Sequence, residues 1–264
     1  MQRRTGLWLG ATLGLLAAGY ALHLRAASRA PASASKALST KQAADASGIT
    51  AASRAAAQAK ALPGAEPPVF VVRGDADGGR LVFLHGMCGH GLGYAQSFQY
   101  AAAEKGILIA PQADQVCGSG PWAKWSRDVP ALNERIAATF RQLGDTRELS
   151  EVCVLGVSQG ATRAVELVRL FPERYRFLVS IGAPTVVKPA GLGKLHAAVF
   201  MVGERERKDL MLESERALRR LGVPSKSVVI PDTDHADLGK RPEETMGAVL
   251  DWLWEASREK PPTP

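Results

Sequence analysis

The sequence predicts an α/β domain, a mostly parallel sheet of about seven to eight strands with helices on both faces. Three observations predict it. Short apolar runs recur between Val69 and Ile230 without polar alternation, as in strands buried on both faces. Helix-length amphipathic stretches separate them. Polar and glycine-rich segments follow several runs directly, at the strand ends where such sheets bind ligands.

The elements before this domain are of another kind. MQRRTGLWLGATLGLLAAGYALHLRA sets Arg3 and Arg4 before an apolar run at 6–24, so residues 1–25 read as a signal peptide or a membrane anchor. Nineteen residues at about 1.5 Å each reach roughly 28 Å, just enough to span a bilayer core. Small-x-small cleavage sites lie only further on, as in Ala32-Ser33-Ala34. Either reading implies export: a periplasmic or secreted protein, or one held at the inner membrane. Residues 26–67, rich in Ala, Ser, Lys and Pro, read as a flexible linker that buries too little surface to offset its ordering entropy.

Strand-like runs then stand at 69–72, 81–84, 107–110, 152–155, 177–181, 198–202 and 227–230. Candidate helices lie near 94–104, 129–143, 159–170, 209–221 and 243–256. The domain is expected over 68–258, with a disordered tail at 259–264. Of the chain's 264 residues, 46 % are hydrophobic, ample for one core. Its net charge of +7 is unevenly placed: residues 1–68 hold 8 Lys and Arg against 2 Asp and Glu, leaving 25 against 24 elsewhere. A nearly neutral domain lacks the basic face that nucleic-acid binding needs.

Gly156-Val157-Ser158-Gln159-Gly160 joins the fourth run to a helix pattern. About 0.2 such pentapeptides are expected by chance, so the strand before it and the helix after it carry the meaning. A serine there is a nucleophile only with a base to take its proton. Of five histidines, His23 lies in the leader, His85 and His90 follow the second run, and His196 precedes the sixth. His235 follows the last run. Carboxylates Glu206 and Asp209 follow the sixth. The chain order is nucleophile, acid, histidine.

With these residues the chain resembles the α/β-hydrolase family over about 69–256. Gly156 to Gly160 is similar to its nucleophile elbow, and Leu84-His85-Gly86 to its strand and oxyanion loop. Phe171-Pro172-Glu173-Arg174-Tyr175 is similar to the helix ending common after the elbow, and His235 stands where the family's histidine follows the last strand. The resemblance implies an α/β-hydrolase fold with no large cap, since 183–198 leaves room for a loop only. It implies Ser158 as nucleophile and His235 as general base, oriented by Glu206, where the family most often has Asp, or by Asp209. Backbone N–H groups of Gln159 and Met87, or of Cys88 in place of Met87, would meet the substrate oxyanion. Trp122 and Trp125 are candidates for lining the acyl or alcohol pocket, or for packing. In the fold so implied, the strands ending at Leu84 and Ala110 are neighbours, so Cys88 and Cys117 are expected to form a disulfide, with Cys153 a free buried thiol.

The expected activity is that of an exported serine hydrolase, carboxylesterase-like, acting on a small-molecule or polymeric ester. Thioesterase and peptidase chemistry use the same machinery. The alternative from another class is a catalytically silent interaction module tethered at the membrane. No metal and no cofactor is expected: there is no His-Glu-x-x-His, no paired cysteine spacing and no phosphate-cradling glycine loop.

Overall fold

The computed structural model describes residues 57–75 and 78–259. The apolar run at 6–24, most of the expected linker and residues 260–264 lie outside the described residues. In chain order these residues form β1 (Lys60–Ala61), β2 (Val69–Val72), β3 (Gly79–Leu84), α1 (Gly91–Ser97), α2 (Gln99–Lys105), β4 (Gly106–Pro111), β5 (Gln115–Val116) and β6 (Ala123–Lys124). There follow α3 (Val129–Gln142), β7 (Val152–Val157), α4 (Gln159–Leu170), β8 (Tyr175–Ile181), β9 (Ala197–Gly203), α5 (Lys208–Arg220), β10 (Ser225–Ile230) and α6 (Pro242–Glu259).

Eight strands make one sheet in the order β1-β2-β4-β3-β7-β8-β9-β10, parallel from β4 to β10, with β2 antiparallel to β4 and β1 to β2. Alternate strand residues feed two cores. Val82, Leu84 and Val154 face Ile136, Phe140 and Leu167 of α3 and α4, while Leu81, Phe83 and Leu155 face Phe98 and Leu250 and Leu253 of α6. Burial on both faces is why these strands show no polar alternation. β5 and β6 form a separate two-stranded hairpin beyond the carboxyl end of β4.

Three boundaries differ from expectation. The helix expected near 94–104 is two helices, because the fully buried Phe98 breaks it at φ −137° and ψ 33° to set its ring 5.6 Å from that of Phe83. The freed amides of Tyr100 and Ala101 donate to Glu243 at 3.1 and 2.8 Å, a cap supplied from α6. The linker expected to run to 67 ends earlier. Ala57 is buried, Leu62 N–H donates to the Val69 carbonyl at 2.7 Å, and Arg135 Nη2 donates to the Pro67 carbonyl at 2.6 Å. Residues 57–67 are thus part of the folded edge. Glu259, expected in the tail, closes α6. Among the described residues no helix is long and apolar enough to cross a membrane.

Candidate active site

The sheet order fixes where the site falls. Leu84 at the end of β3 is in register with Gly156 near the end of β7, so the turn after β3 and the elbow after β7 emerge side by side. Ser158 occupies the elbow at φ 52° and ψ −112°, a conformation non-glycine residues rarely hold. The glycines on either side permit it. A Cβ on Gly156 would stand 2.3 Å from the Gly160 carbonyl oxygen, and one on Gly160 would stand 2.0 Å from that of Leu84. Strand and helix therefore meet backbone to backbone around the serine.

Ser158 N–H donates to the Ile181 carbonyl at the end of β8, 2.9 Å away. The next residue, Gly182, has φ 54°, and a Cβ on it would lie 3.2 Å from the His235 ring and 3.4 Å from Glu206 Oε1. This places the His235 and Glu206 side chains against Gly182, one residue beyond the hydrogen-bond partner of Ser158. His235 Nδ1 donates to Glu206 Oε1 at 2.5 Å, and the second carboxylate oxygen accepts from Gly203 N–H at 2.8 Å. Since a carboxylate only accepts, Nδ1 holds the ring proton and Nε2 is the basic nitrogen. The Glu206 side chain is 16 % exposed and that of His235 53 %. Among the described residues no hydrogen bond joins Ser158 Oγ to His235, a contact that commonly tightens only with substrate bound. Asp209 is not brought to His235. It sits exposed in the first turn of α5, paired with Arg207 at 2.6 Å, and that guanidinium lowers its carboxyl below the usual carboxylate value. Asp232 and Asp234 pair instead with Lys240 and Arg205.

Met87 and Cys88 are the central residues of a turn closed by Gly89 N–H donating to the Gly86 carbonyl at 3.0 Å, with Cys88 at φ 52°. Among the described residues neither Met87 N–H nor Gln159 N–H donates to another group. Cys88 and Cys117 are joined in a disulfide with Cα atoms 5.4 Å apart, and Cys153 is free, buried and pushed up in pKa by that burial. His85 beneath the turn is fully buried. Its Nδ1–H donates to the Gly86 carbonyl at 2.7 Å and its Nε2 accepts from Ala113 N–H at 3.0 Å. Burial pushes its pKa down to about 4, so it serves as a neutral spacer.

The two tryptophans part company. Trp122 is 49 % exposed and lines an open groove of about 600 Å³ with His90, Tyr94, Ala236 and Leu238. Trp125, a candidate for pocket lining or for packing, is only 4 % exposed: its indole packs on His85 and its Nε1–H donates to the His85 carbonyl at 2.7 Å, and it borders a small cleft with Pro67, Asp114 and Arg135. Gln112 was not singled out in the sequence. Its side chain accepts from Gly91 N–H and donates to the Gly89 and Pro121 carbonyls, joining the turn to the hairpin. A polar residue directly after the β4 run is its one sequence signal. Among the described residues no cluster of His, Cys, Asp and Glu is arranged to hold a metal.

This sheet order, with its elbow after β7 and a histidine after the last strand, is the α/β-hydrolase fold. No family model and no curated protein sequence matches the chain. Solved structures do match. A membrane phospholipase A, described as a bacterial virulence factor, is 16 % identical with a TM-score of 0.57 over 79 % of this chain and 90 % of its own. An arylesterase is 12 % identical with a TM-score of 0.56 over 78 % of this chain and 90 % of its own. Naproxen esterase, a carboxylesterase from Bacillus subtilis, is 12 % identical with a TM-score of 0.52 over 74 % and 91 %. At such identities the likeness is one of fold.

Proposed function

We propose that the protein is an exported serine hydrolase that cleaves a carboxylic ester through an acyl-enzyme on Ser158. The observation that carries this reading is the His235–Glu206 contact, made against Gly182, the residue after the Ile181 carbonyl that accepts from Ser158 N–H in the elbow. In the reaction His235 Nε2 takes the Ser158 proton as Oγ attacks the carbonyl carbon, and Glu206 stabilises the resulting imidazolium. The oxyanion is met by Met87 and Gln159 N–H. Collapse breaks the ester bond, and the imidazolium gives its proton to the leaving alcohol. Water, deprotonated by the same nitrogen, then attacks the acyl carbon and releases the acid with Ser158 restored.

The groove beside Trp122 supports an apolar acyl or alcohol group along its Trp122, Pro121 and Leu238 wall, where Tyr94 Oη is spent on the Ala236 carbonyl and His90 Nδ1 on Leu92 N–H, while the exposed Asp237 carboxylate marks its rim. Esterases and serine hydrolases among the similar structures favour ester cleavage. Export is supported by the leader at 1–25 and by a disulfide, which persists in oxidising compartments. The test is rapid mixing of the purified protein with p-nitrophenyl esters of graded chain length, beside matched thioesters and anilides. The expected result is a nitrophenolate burst equal to the enzyme concentration followed by turnover. No turnover of any ester would reject the reading.

A further inference from the structure

The two oxyanion donors belong to different elements. Met87 N–H rides on a turn after β3, and Gln159 N–H opens α4. Pairing of β3 with β7 sets the strands but does not reach the turn. A donor misplaced by about 1 Å costs on the order of a hundredfold in rate, so something must fix the gap between them.

We propose that Trp125 is a positioning residue that sets this gap, gripping one half of the oxyanion hole with its ring and the other with its backbone. On one side the indole N–H donates to the His85 carbonyl at 2.7 Å, and the ring lies 4.9 Å from the imidazole, two residues before Met87. On the other side the Gln159 carboxamide closes on the Trp125 peptide: Oε1 accepts from Trp125 N–H at 2.9 Å, and Nε2 donates to the Trp125 carbonyl at 3.3 Å. The neighbouring peptide is held to the same helix, with Arg163 Nε donating to the Ser126 carbonyl at 2.7 Å. Trp125 is thus fixed to α4 by three bonds through 125–126 and carries a single directed bond to His85, the residue between β3 and the turn. The indole bond to His85 is buried, and the three bonds to α4 are part-buried. Phenylalanine in its place would keep most of the packing and lose that directed bond.

The inference rests on the hydrolase reading, and the experiment separates the two. In the full chain, Trp125→Phe and Gln159→Met are assayed with p-nitrophenyl acetate, with a trifluoromethyl ketone as tetrahedral mimic, and by thermal melting. The expected result for each is a kcat lower by about ten- to a hundredfold with KM within about twofold, and a parallel loss of affinity for the ketone. The double variant should fall little further than the worse single one, because both remove the same link. A wild type that turns over while both single variants keep kcat within twofold overturns the inference alone, as does a loss confined to KM. A fully additive double variant overturns it as well. If Trp125→Phe fails to fold, Gln159→Met decides by the same criteria. A wild type inert toward the ester overturns the hydrolase reading and this inference with it.

Discussion

At the carboxyl edge of the sheet four non-glycine residues, Cys88, Ser158, Asp232 and Ala236, hold φ of 52, 52, 58 and 67°, whereas among the described residues Glu151 is the sole counterpart at the amino edge. The polar groups differ in the same sense. At the amino edge all three nitrogens of the Arg80 guanidinium are engaged, with two bonds to Asp145 at 2.7 and 3.0 Å and others to the Glu148 and Ser150 carbonyls. Side chains of Arg80 and Asp145 are 8 % and 5 % exposed, and Arg147 and Arg80 together hold the Asp145 carboxyl well below the usual carboxylate range. At the carboxyl edge backbone donors stand unfilled and the imidazole of His235 is half open to solvent. One edge buries its central ion pair within the fold, while the other holds strain and unused hydrogen-bonding capacity, as functional sites do. Stability and activity should therefore separate by edge.

Substitution at the elbow should remove activity and spare the fold. Ser158→Ala should lower kcat/KM for p-nitrophenyl esters by several orders of magnitude while the melting temperature moves by a few degrees at most. Near-normal turnover would remove the serine from the chemistry. Glu206→Gln should cost roughly a hundredfold or more in kcat, and Asp209→Asn less than about twofold, since only Glu206 reaches His235. The reverse ranking would reassign the carboxylate.

The opposite edge should respond in the opposite way. Arg80→Met leaves Asp145 buried with one exposed partner, so the urea midpoint should fall by the equivalent of about 3 to 5 kcal/mol, with kcat unchanged in what remains folded. A large loss of kcat would show that the two edges are coupled. A pH dependence arises from His85 beneath the site. Its folded pKa of about 4 lies below the ordinary 6.5, so between those values the unfolded chain binds more protons than the native one. This contribution is complete above pH 6.5 and is lost as pH falls toward 4, about 3 kcal/mol in all. Denaturant titrations across that window should show the slope, and His85→Gln should flatten it.

Legibility also followed the two-sided burial of the sheet. The run at 152–155 marks β7 and the pattern at 159–170 marks α4, since a core on both faces leaves apolar residues nowhere to alternate. β1, β5 and β6 left no trace, because two residues cannot carry a period. The break at Phe98 was hidden for a different reason: its apolar spacing suits a helix, and the packing of its ring on Phe83 overrides that spacing. At the site, chain order singled out Ser158 and His235. Glu206 and Asp209 stand three residues apart in one segment, and only the fold shows which faces the imidazole. Trp125 was ambiguous because an aromatic ring reads the same whether it lines a pocket or braces a loop. The bracing shows only in the partner of its indole N–H, which lies 40 positions away in sequence.

If the strained serine at the carboxyl edge is the nucleophile, an active-site label must find it. The purified full-length protein is treated with a fluorophosphonate, digested and mapped by mass spectrometry. The account expects one stoichiometric adduct on Ser158, slowed strongly in Glu206→Gln and abolished by prior denaturation. An adduct on any other residue, or none on protein whose fold is intact, would contradict it.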